Sequence, residues 1–396
     1  MIYLDNAATT PMDAEVVAEM MPYMEDEFAN ASSVYSLARE EQDAVMLARD
    51  RVAALLNCMP CEVFFTSGGT ESNNWALKGT LMSSLALRPQ ITDGSPHIIT
   101  TAIEHPSVLE TCRFLERMGC RVSYLPVDSE GRVDMNNLAA TLEAVPTAIV
   151  SIMYGNNEIG TVQDIARASE LAHQHGALMH TDAVQAVGKV PIDVQALGVD
   201  MLSLSAHKLH GPKGVGALFV RESCYLESLM HGGDQESQRR AGTTNVAGVV
   251  GLGKAAEVAG EWLKTSEASV EFPKMPDVLW GAMSAVMADM IQRNGHPRRR
   301  LPHILNVTFQ NVECNSLVLA LDEQFNIFAS CGSACHAKRI EPSYVLLAIG
   351  RTSHEAKCSV RFSMSRETNV KDLGRAADMV SSIAWRLRDE SKSWAI

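Results

Sequence analysis

The sequence predicts an α/β protein: a mostly parallel sheet with helices on both faces, joined to a smaller α+β domain. Three observations point there. Helical and strand-like hydrophobic periods alternate through the first two-thirds of the chain. Polar and glycine-rich clusters follow the strands, where open parallel sheets carry their ligands. The pattern then changes near residue 260, and 396 residues exceed what one core usually supports.

Each element has a local reason. Residues 36–56 show helical periodicity. "EVFFTS" reads as a strand and "TESNNWALKGTLM" as a helix. "HIITT" is a strand, followed by a helix in "HPSVLETCRFLERM" with Pro106 early in its first turn. "TAIVSIM" is a buried strand, and "DIARASELAHQHG" is a helix closed by Gly176. "ALMHTD", "VDMLSLS" and "GVGALFV" are further strands. Beyond residue 260, longer helices ("DVLWGAMSAVMADMIQR", "LVLALDEQF") mix with short strands ("HILNVTF", "SVRFSMS"), and a helix near 370–389 ends the chain.

Composition narrows the function. Lys and Arg number 34 against 47 Asp and Glu, a net charge of −13. Phosphate-binding surfaces need clustered Lys and Arg, so direct nucleic-acid binding is not expected. The first residues, "MIYLDNAATTP", carry no secretory signal, and no segment approaches a membrane span. Nine cysteines at irregular spacing, without an export signal, point to reduced thiols in the cytoplasm. Cys58 and Cys61 have redox-motif spacing but no partner motif, so a structural coincidence is the preferred reading, with a zinc site a poor second.

Five strand ends converge on one chemistry. After "EVFFTS", Ser67-Gly68-Gly69-Thr70-Glu71 opens a helix, and a glycine-rich helix start favours phosphate. It is neither a Walker motif nor a dinucleotide fingerprint. After "HIITTAI" comes His105, whose flat ring can stack on an aromatic ligand. After "TAIVSIMYG" come Asn156 and Asn157; for Asn156 turn chemistry is the preferred reading. After "ALMHT" comes Asp182, a carboxylate that burial makes costly unless paired, with Gln185 three residues on. "VDMLSLS" then ends at Ser205, His207 and Lys208. Each feature alone admits an ordinary structural reading. Together, an amine, a phosphate cradle, an acid for a ring nitrogen and a stacking imidazole are the parts that hold pyridoxal phosphate.

The chain resembles the cysteine desulfurases, class-V aminotransferase-type enzymes of fold type I, in the group with a long reactive loop. The resemblance rests on "IYLDNAATTP", "FTSGGTESNN", "TTAIEHPSVLET", "NNEIGTVQDI", "HTDAVQAVGKVPIDV", "SLSAHKLHGPKGVGAL", "AGTTNVAGVVG", "GSACHAKRIEPSYVL" and "SVRFS", in family order along nearly the whole chain. It implies a large cofactor domain over residues 14–260. Residues 1–13 and 261–396 would form the smaller domain with the reactive loop. It also implies that Lys208 bonds the cofactor, Asp182 holds its ring nitrogen and His105 stacks on the ring. Gln185 and Asn157 would lie near the ring hydroxyl. Gly69, Thr70, Ser205 and His207 would bind the phosphate, helped by Thr243 of a neighbouring subunit in a homodimer. Arg361 would clamp the substrate carboxylate with Asn157, and Asn6 would help line the site. Lys213 is left with a structural or surface role.

By the same resemblance the nucleophile is Cys335, in the polar stretch "GSACHAKRIEPS". Cys331, four residues earlier, packs at the loop's base or serves as a resolving thiol. Cys314 stands at an expected helix start, where thiol pKa values fall. The implied reaction takes L-cysteine to L-alanine and leaves a persulfide on Cys335 for an acceptor protein. Iron–sulfur cluster assembly, tRNA thiolation and DNA phosphorothioation all draw on such enzymes. A selenocysteine lyase or an aminotransferase would share the cofactor site, and a catalytically silent sulfur-transfer scaffold is the reading from another class.

Overall fold

The structure, a computed structural model, describes residues 1–87, 96–331 and 341–393. Strand β1 (Ile2–Tyr3) opens the chain. The next seven strands form the main sheet: β2 (Val63–Thr66), β3 (His97–Thr101), β4 (Arg121–Leu125), β5 (Ile149–Ser151), β6 (Leu178–Asp182), β7 (Met201–Ser205) and β8 (Gly216–Val220). Their order is β2-β8-β7-β6-β5-β3-β4. Neighbours from β4 through β7 pair in parallel, whereas β8 runs antiparallel to both β7 and β2.

Side chains alternate across a strand, so adjacent residues feed opposite faces. Phe65, Ile99, Val150, Leu202 and Phe219 join one core. Their neighbours Phe64, Ile98, Ile149, Met201 and Leu218 join another. Both faces are therefore apolar and covered, as a mostly parallel sheet requires. This explains why the strands read as continuous apolar runs rather than alternating ones.

A third core lies elsewhere. β9 (Ile291–Asn294), β10 (Ile304–Phe309) and β12 (Ser359–Ser363) form an antiparallel sheet in the order β12-β10-β9. The helices Met275–Met287, Cys314–Phe325 and Val370–Ser393 accompany it. They contribute Leu279, Met283, Leu317, Leu321, Leu373 and Val380 to a core with Val307, Phe309 and Phe362. β11 (Ile327–Phe328) pairs in parallel with β1, so the chain's first residues belong to this part.

Three differences from the sequence reading have physical causes. The helix expected over 277–293 stops at Met287. Its last residues become β9 because they pair with the edge of β10, an interaction that no local period reveals. Strand β4 and the helix Met135–Ala144 were not anticipated; Asp134 caps that helix by accepting from the Asn136 N–H. The expectation of uniformly reduced thiols is also corrected, because Cys314 and Cys331 are joined in a disulfide. Cys58 and Cys61 remain free, and the described residues contain no cluster of three or more His, Cys, Asp or Glu placed to hold a metal. No described helix is long and apolar enough to cross a membrane.

Candidate active site

β2, β3, β5, β6 and β7 end at one edge of the main sheet. A cavity of about 330 Å³ opens there, lined also by Ala7, Ala8 and Arg361. Lys208 enters it from the short turn Ala206–Lys208, which follows β7 directly. Its Nζ donates to the carbonyl oxygens of Ala7 (2.6 Å) and Ala8 (2.8 Å). From behind, the buried Lys189 donates from Nζ to the Lys208 carbonyl at 2.6 Å. Burial, and then the charges of Lys208 and Arg366, pull Lys189 down to about 7.

Asp182 ends β6, and both its oxygens are held. Asn73 Nδ2 donates to Oδ2 at 2.7 Å, and the Val184 N–H donates to Oδ1 at 3.0 Å. Asn73 also donates to Ser107 Oγ, which ties the carboxylate to the helix after His105. His105 is the cap of that helix: its Nδ1 accepts from the Ser107 N–H. The same residue lines the cavity. Burial lowers its pKa, with Asp182 opposing and Lys208 assisting.

Gly68, Gly69 and Thr70 start the helix Gly69–Leu87 against Ser205 and His207. Gly68 has φ +146°, a backbone that L side chains rarely adopt. A Cβ on Gly69 would stand 2.6 Å from Val184 Cγ2, so only glycine permits the approach. Lys213 is exposed but borders this recess beside Ser67 and His207, so it faces the cradle. Glu71 receives the Arg240 guanidinium on both oxygens (2.8 and 3.1 Å) and the Ser67 N–H at 2.7 Å. Burial would raise Glu71, but these hydrogen bonds and the Arg240 charge hold it below the usual carboxylate range.

Arg361 comes from β12 and is 2% exposed, yet it lines the cavity, which places a guanidinium fork at a buried surface. It donates to the Asn157 carbonyl (2.9 Å) and to Asp5 Oδ1 (2.8 Å). Asn157 Oδ1 is buried with no hydrogen-bond partner among the described residues. Gln185 donates from Nε2 to the Ala7 carbonyl and lines the cavity. Asn6 does not line it; its Nδ2 donates to the Tyr3 and Ser363 carbonyls, and its neighbours Ala7 and Ala8 reach the site instead. Asn156 makes a turn, as expected, with Oδ1 accepting from the Glu158 and Ile159 N–H groups.

Two residues named from the sequence stand apart. Thr243 is exposed and does not line this chain's cavity. It follows a turn in which Glu236, Ser237 and Gln238 all have positive φ. Left-handed residues of this kind cost roughly 1–3 kcal/mol each unless their surroundings impose them. Here Glu236 imposes the turn by accepting from both Arg49 amino groups and from the Phe65 N–H. Cys335 lies outside the described residues.

Asp5, Asn73, Lys189 and the Glu71–Arg240 pair escaped sequence reasoning as site residues. Asn73 left a signal, a polar residue one helical turn beyond Gly69 on the buried face. Asp5 left none, because its partner is 356 residues away.

Buried titrating groups make the fold sensitive to acid. His97, His180, His207 and His210 are each pulled down to about 4, with burial the main cause. Burial also holds His303 well below its ordinary value and raises Glu104 to about 8. Unfolded histidines titrate near 6.5, so between pH 6.5 and 4 the unfolded state binds more protons and stability falls as pH falls. Glu104 opposes this, since it keeps its proton in the fold, but one carboxyl does not offset five imidazoles. The cofactor-free protein is expected to melt at progressively lower temperature across that window, with a net uptake of protons on unfolding. Calorimetry across that pH range checks it, and a flat melting temperature would contradict the assignment.

Residues 2–375 match the aminotransferase class-V family. The cysteine desulfurase IscS of Methanosarcina thermophila is 44% identical over 390 residues, covering 98% of this chain and 93% of that protein. A solved NifS-like protein superposes with a TM-score of 0.86 at 34% identity, covering 98% of this chain and 100% of that one. A structure described as SspA in complex with cysteine gives 0.78 at 37% identity, covering 92% and 99%. With likeness running the whole length, the chain belongs to the class-V aminotransferase family and, within it, to the cysteine desulfurases, which are pyridoxal-phosphate enzymes.

Proposed function

We propose that the chain converts L-cysteine to L-alanine, holds the sulfur as a persulfide on Cys335 and passes it to an acceptor protein. The observation that carries this reading is the meeting of Lys208, Asp182, His105 and Arg361 in one cavity, from three strand ends of the main sheet and one strand of the small sheet. The residues fit the cofactor. Gly68, Gly69 and Thr70, at a helix start, line one recess with Ser205 and His207, where helix N–H groups would favour a phosphate. Asp182, oriented by Asn73 and Val184, would hold a protonated ring nitrogen. The unpartnered Asn157 Oδ1 is available for a ring hydroxyl or a substrate group, with Gln185 nearby. When bound, the cofactor supplies an electron sink for charge developing at the substrate Cα.

The chain's own residues would do the rest. The Lys208 amine is the covalent anchor and takes the Cα proton once freed. His105, kept largely neutral by burial, can accept or return a proton. Arg361 clamps the substrate carboxylate through a planar fork, and Asp5 holds that fork in place. Asn6 acts by fixing the segment that carries Ala7 and Ala8.

The thiol assignment has support by exclusion among the described cysteines. None of them lines the cavity. Burial pushes Cys58, Cys112 and Cys224 up to about 12 and also raises Cys120 and Cys358. A product assay tests the function: L-cysteine should yield alanine and sulfane sulfur. A keto acid would mean transamination, and no turnover would mean a silent scaffold.

We read the protein as a homodimer in which Thr243 reaches the partner's phosphate cradle. Its exposure beside a pinned, left-handed turn supports this, as do the exposed Met24, Phe28, Val34 and Tyr35 in one stretch of chain. Light scattering should return twice the 43.1 kDa chain mass.

A further inference from the structure

Cys314 and Cys331 are bonded, Sγ to Sγ, in the small-sheet part of the fold. The two sulfurs are not equivalent. Cys314 is 3% exposed at the first residue of the helix Cys314–Phe325, whereas Cys331 is only half-buried. An incoming thiolate meets Cys331 first, and Cys314 then departs at a helix start, which favours the thiolate. Cys331 also has a fixed place relative to the cavity. It directly follows Ser330, whose N–H and C=O both pair with the backbone of Arg361. In the sequence, Cys335 is four residues further on. Four residues of chain span at most about 14 Å, which limits how far the Cys335 and Cys331 backbones can separate.

Resting on the reading of Cys335 as persulfide carrier, we propose that Cys314 and Cys331 form a second, resolving thiol site that decides the fate of the sulfur. In the dithiol form, the Cys331 thiolate attacks the outer sulfur of the Cys335 persulfide. The S–S bond to Cys335 breaks, Cys335 leaves as a thiolate, and the sulfur moves to Cys331. The Cys314 thiolate then attacks the inner sulfur on Cys331. This forms the disulfide seen here and expels hydrosulfide. The sulfane sulfur gains two electrons, which the two thiols supply, and the thiol protons go to Cys335 and to the sulfide. In the disulfide form this pair offers no thiol, and the persulfide survives for an acceptor protein. The redox state of the pair thus divides the output between free sulfide and bound sulfane sulfur.

A single turnover tests this. Cofactor-loaded enzyme is reduced, stripped of reductant without air and mixed with one equivalent of L-cysteine. Alanine, free sulfide and the masses of the cysteine peptides are then measured. The reduced wild type should release sulfide in step with alanine and gain the Cys314–Cys331 link. The same enzyme oxidised beforehand should make alanine but keep the extra sulfur on Cys335, with sulfide at least about tenfold lower. Cys314→Ser should also hold back sulfide after reduction, but with the extra sulfur moved to Cys331, because the second thiol that expels it is missing. Because the oxidised and reduced wild type differ by no mutation, a misfolded variant does not spoil the test. Alanine with an intact persulfide in the reduced wild type overturns the proposal, and so does equal sulfide release from both redox forms. Absence of alanine would sink the desulfurase reading itself, and this proposal with it.

Discussion

Lys208→Ala should leave a folded chain that no longer shows the visible absorbance of lysine-bound cofactor and has lost turnover by at least about a thousandfold. Positioned acid–base groups contribute roughly 10²- to 10⁴-fold, and here the same amine also serves as the covalent anchor. The fold should survive because the lysine's main-chain neighbours carry the local structure: Ala206 N–H pairs with Val215, and Leu209 N–H with Ala206. The cost falls on the N-terminal segment, which loses the donations from Nζ to Ala7 and Ala8. Lys208→Arg separates the two effects. It keeps a cation able to bond those carbonyls but cannot form the covalent link. Spectra and single-turnover rates on both variants decide the matter. An alanine variant with more than a tenth of wild-type activity would remove Lys208 from the mechanism.

Cys335→Ser should do the opposite to the spectrum and the same to the product. The visible absorbance should persist, because Lys208, Asp182 and His105, which line the cavity, are all unchanged. Sulfide release with an external thiol should fall by a thousandfold or more. A thiol delivered to the substrate sulfur by its own chain gains from proximity, which can contribute about 7–11 kcal/mol, and serine cannot accept sulfur at all. A fully active Cys335→Ser would return the role to Cys314 or Cys331. Those two are bonded to each other in this structure, so such a result would also require that bond to open.

Much of the fold was legible because local rules dominate it. The buried strands announced themselves as apolar runs, and each run feeds two cores through the two-residue period. Gly176 closes its helix at φ +70°, as a glycine at that point should. β9 was not legible. Its residues continue a helical pattern, and only the open edge of β10 turns them into a strand. The same division runs through the site. Lys208, Asp182, His105 and the Gly68–Thr70 turn each follow a strand, and a reader who knows where ligands sit on parallel sheets can find them. Asn6 was named for the cavity but is spent on the backbone of β12, because the segment's carbonyls rather than its side chains face Lys208.

What the sequence determined by itself is the order of reactive side chains along the strand ends, and with it the fold class and the cofactor chemistry. These depend on periodicity and on residues adjacent in the chain. What only the tertiary structure decided is the pairing that holds those side chains. Asp5 meets Arg361, Asn73 meets Asp182, Lys189 supports the Lys208 carbonyl, and Cys314 bonds to Cys331. Each joins segments that are distant in sequence or separated by a turn of unknown path. Hydrogen bonds and disulfides depend on ångström-scale approach, and that approach is set by how the two sheets pack, not by any local pattern.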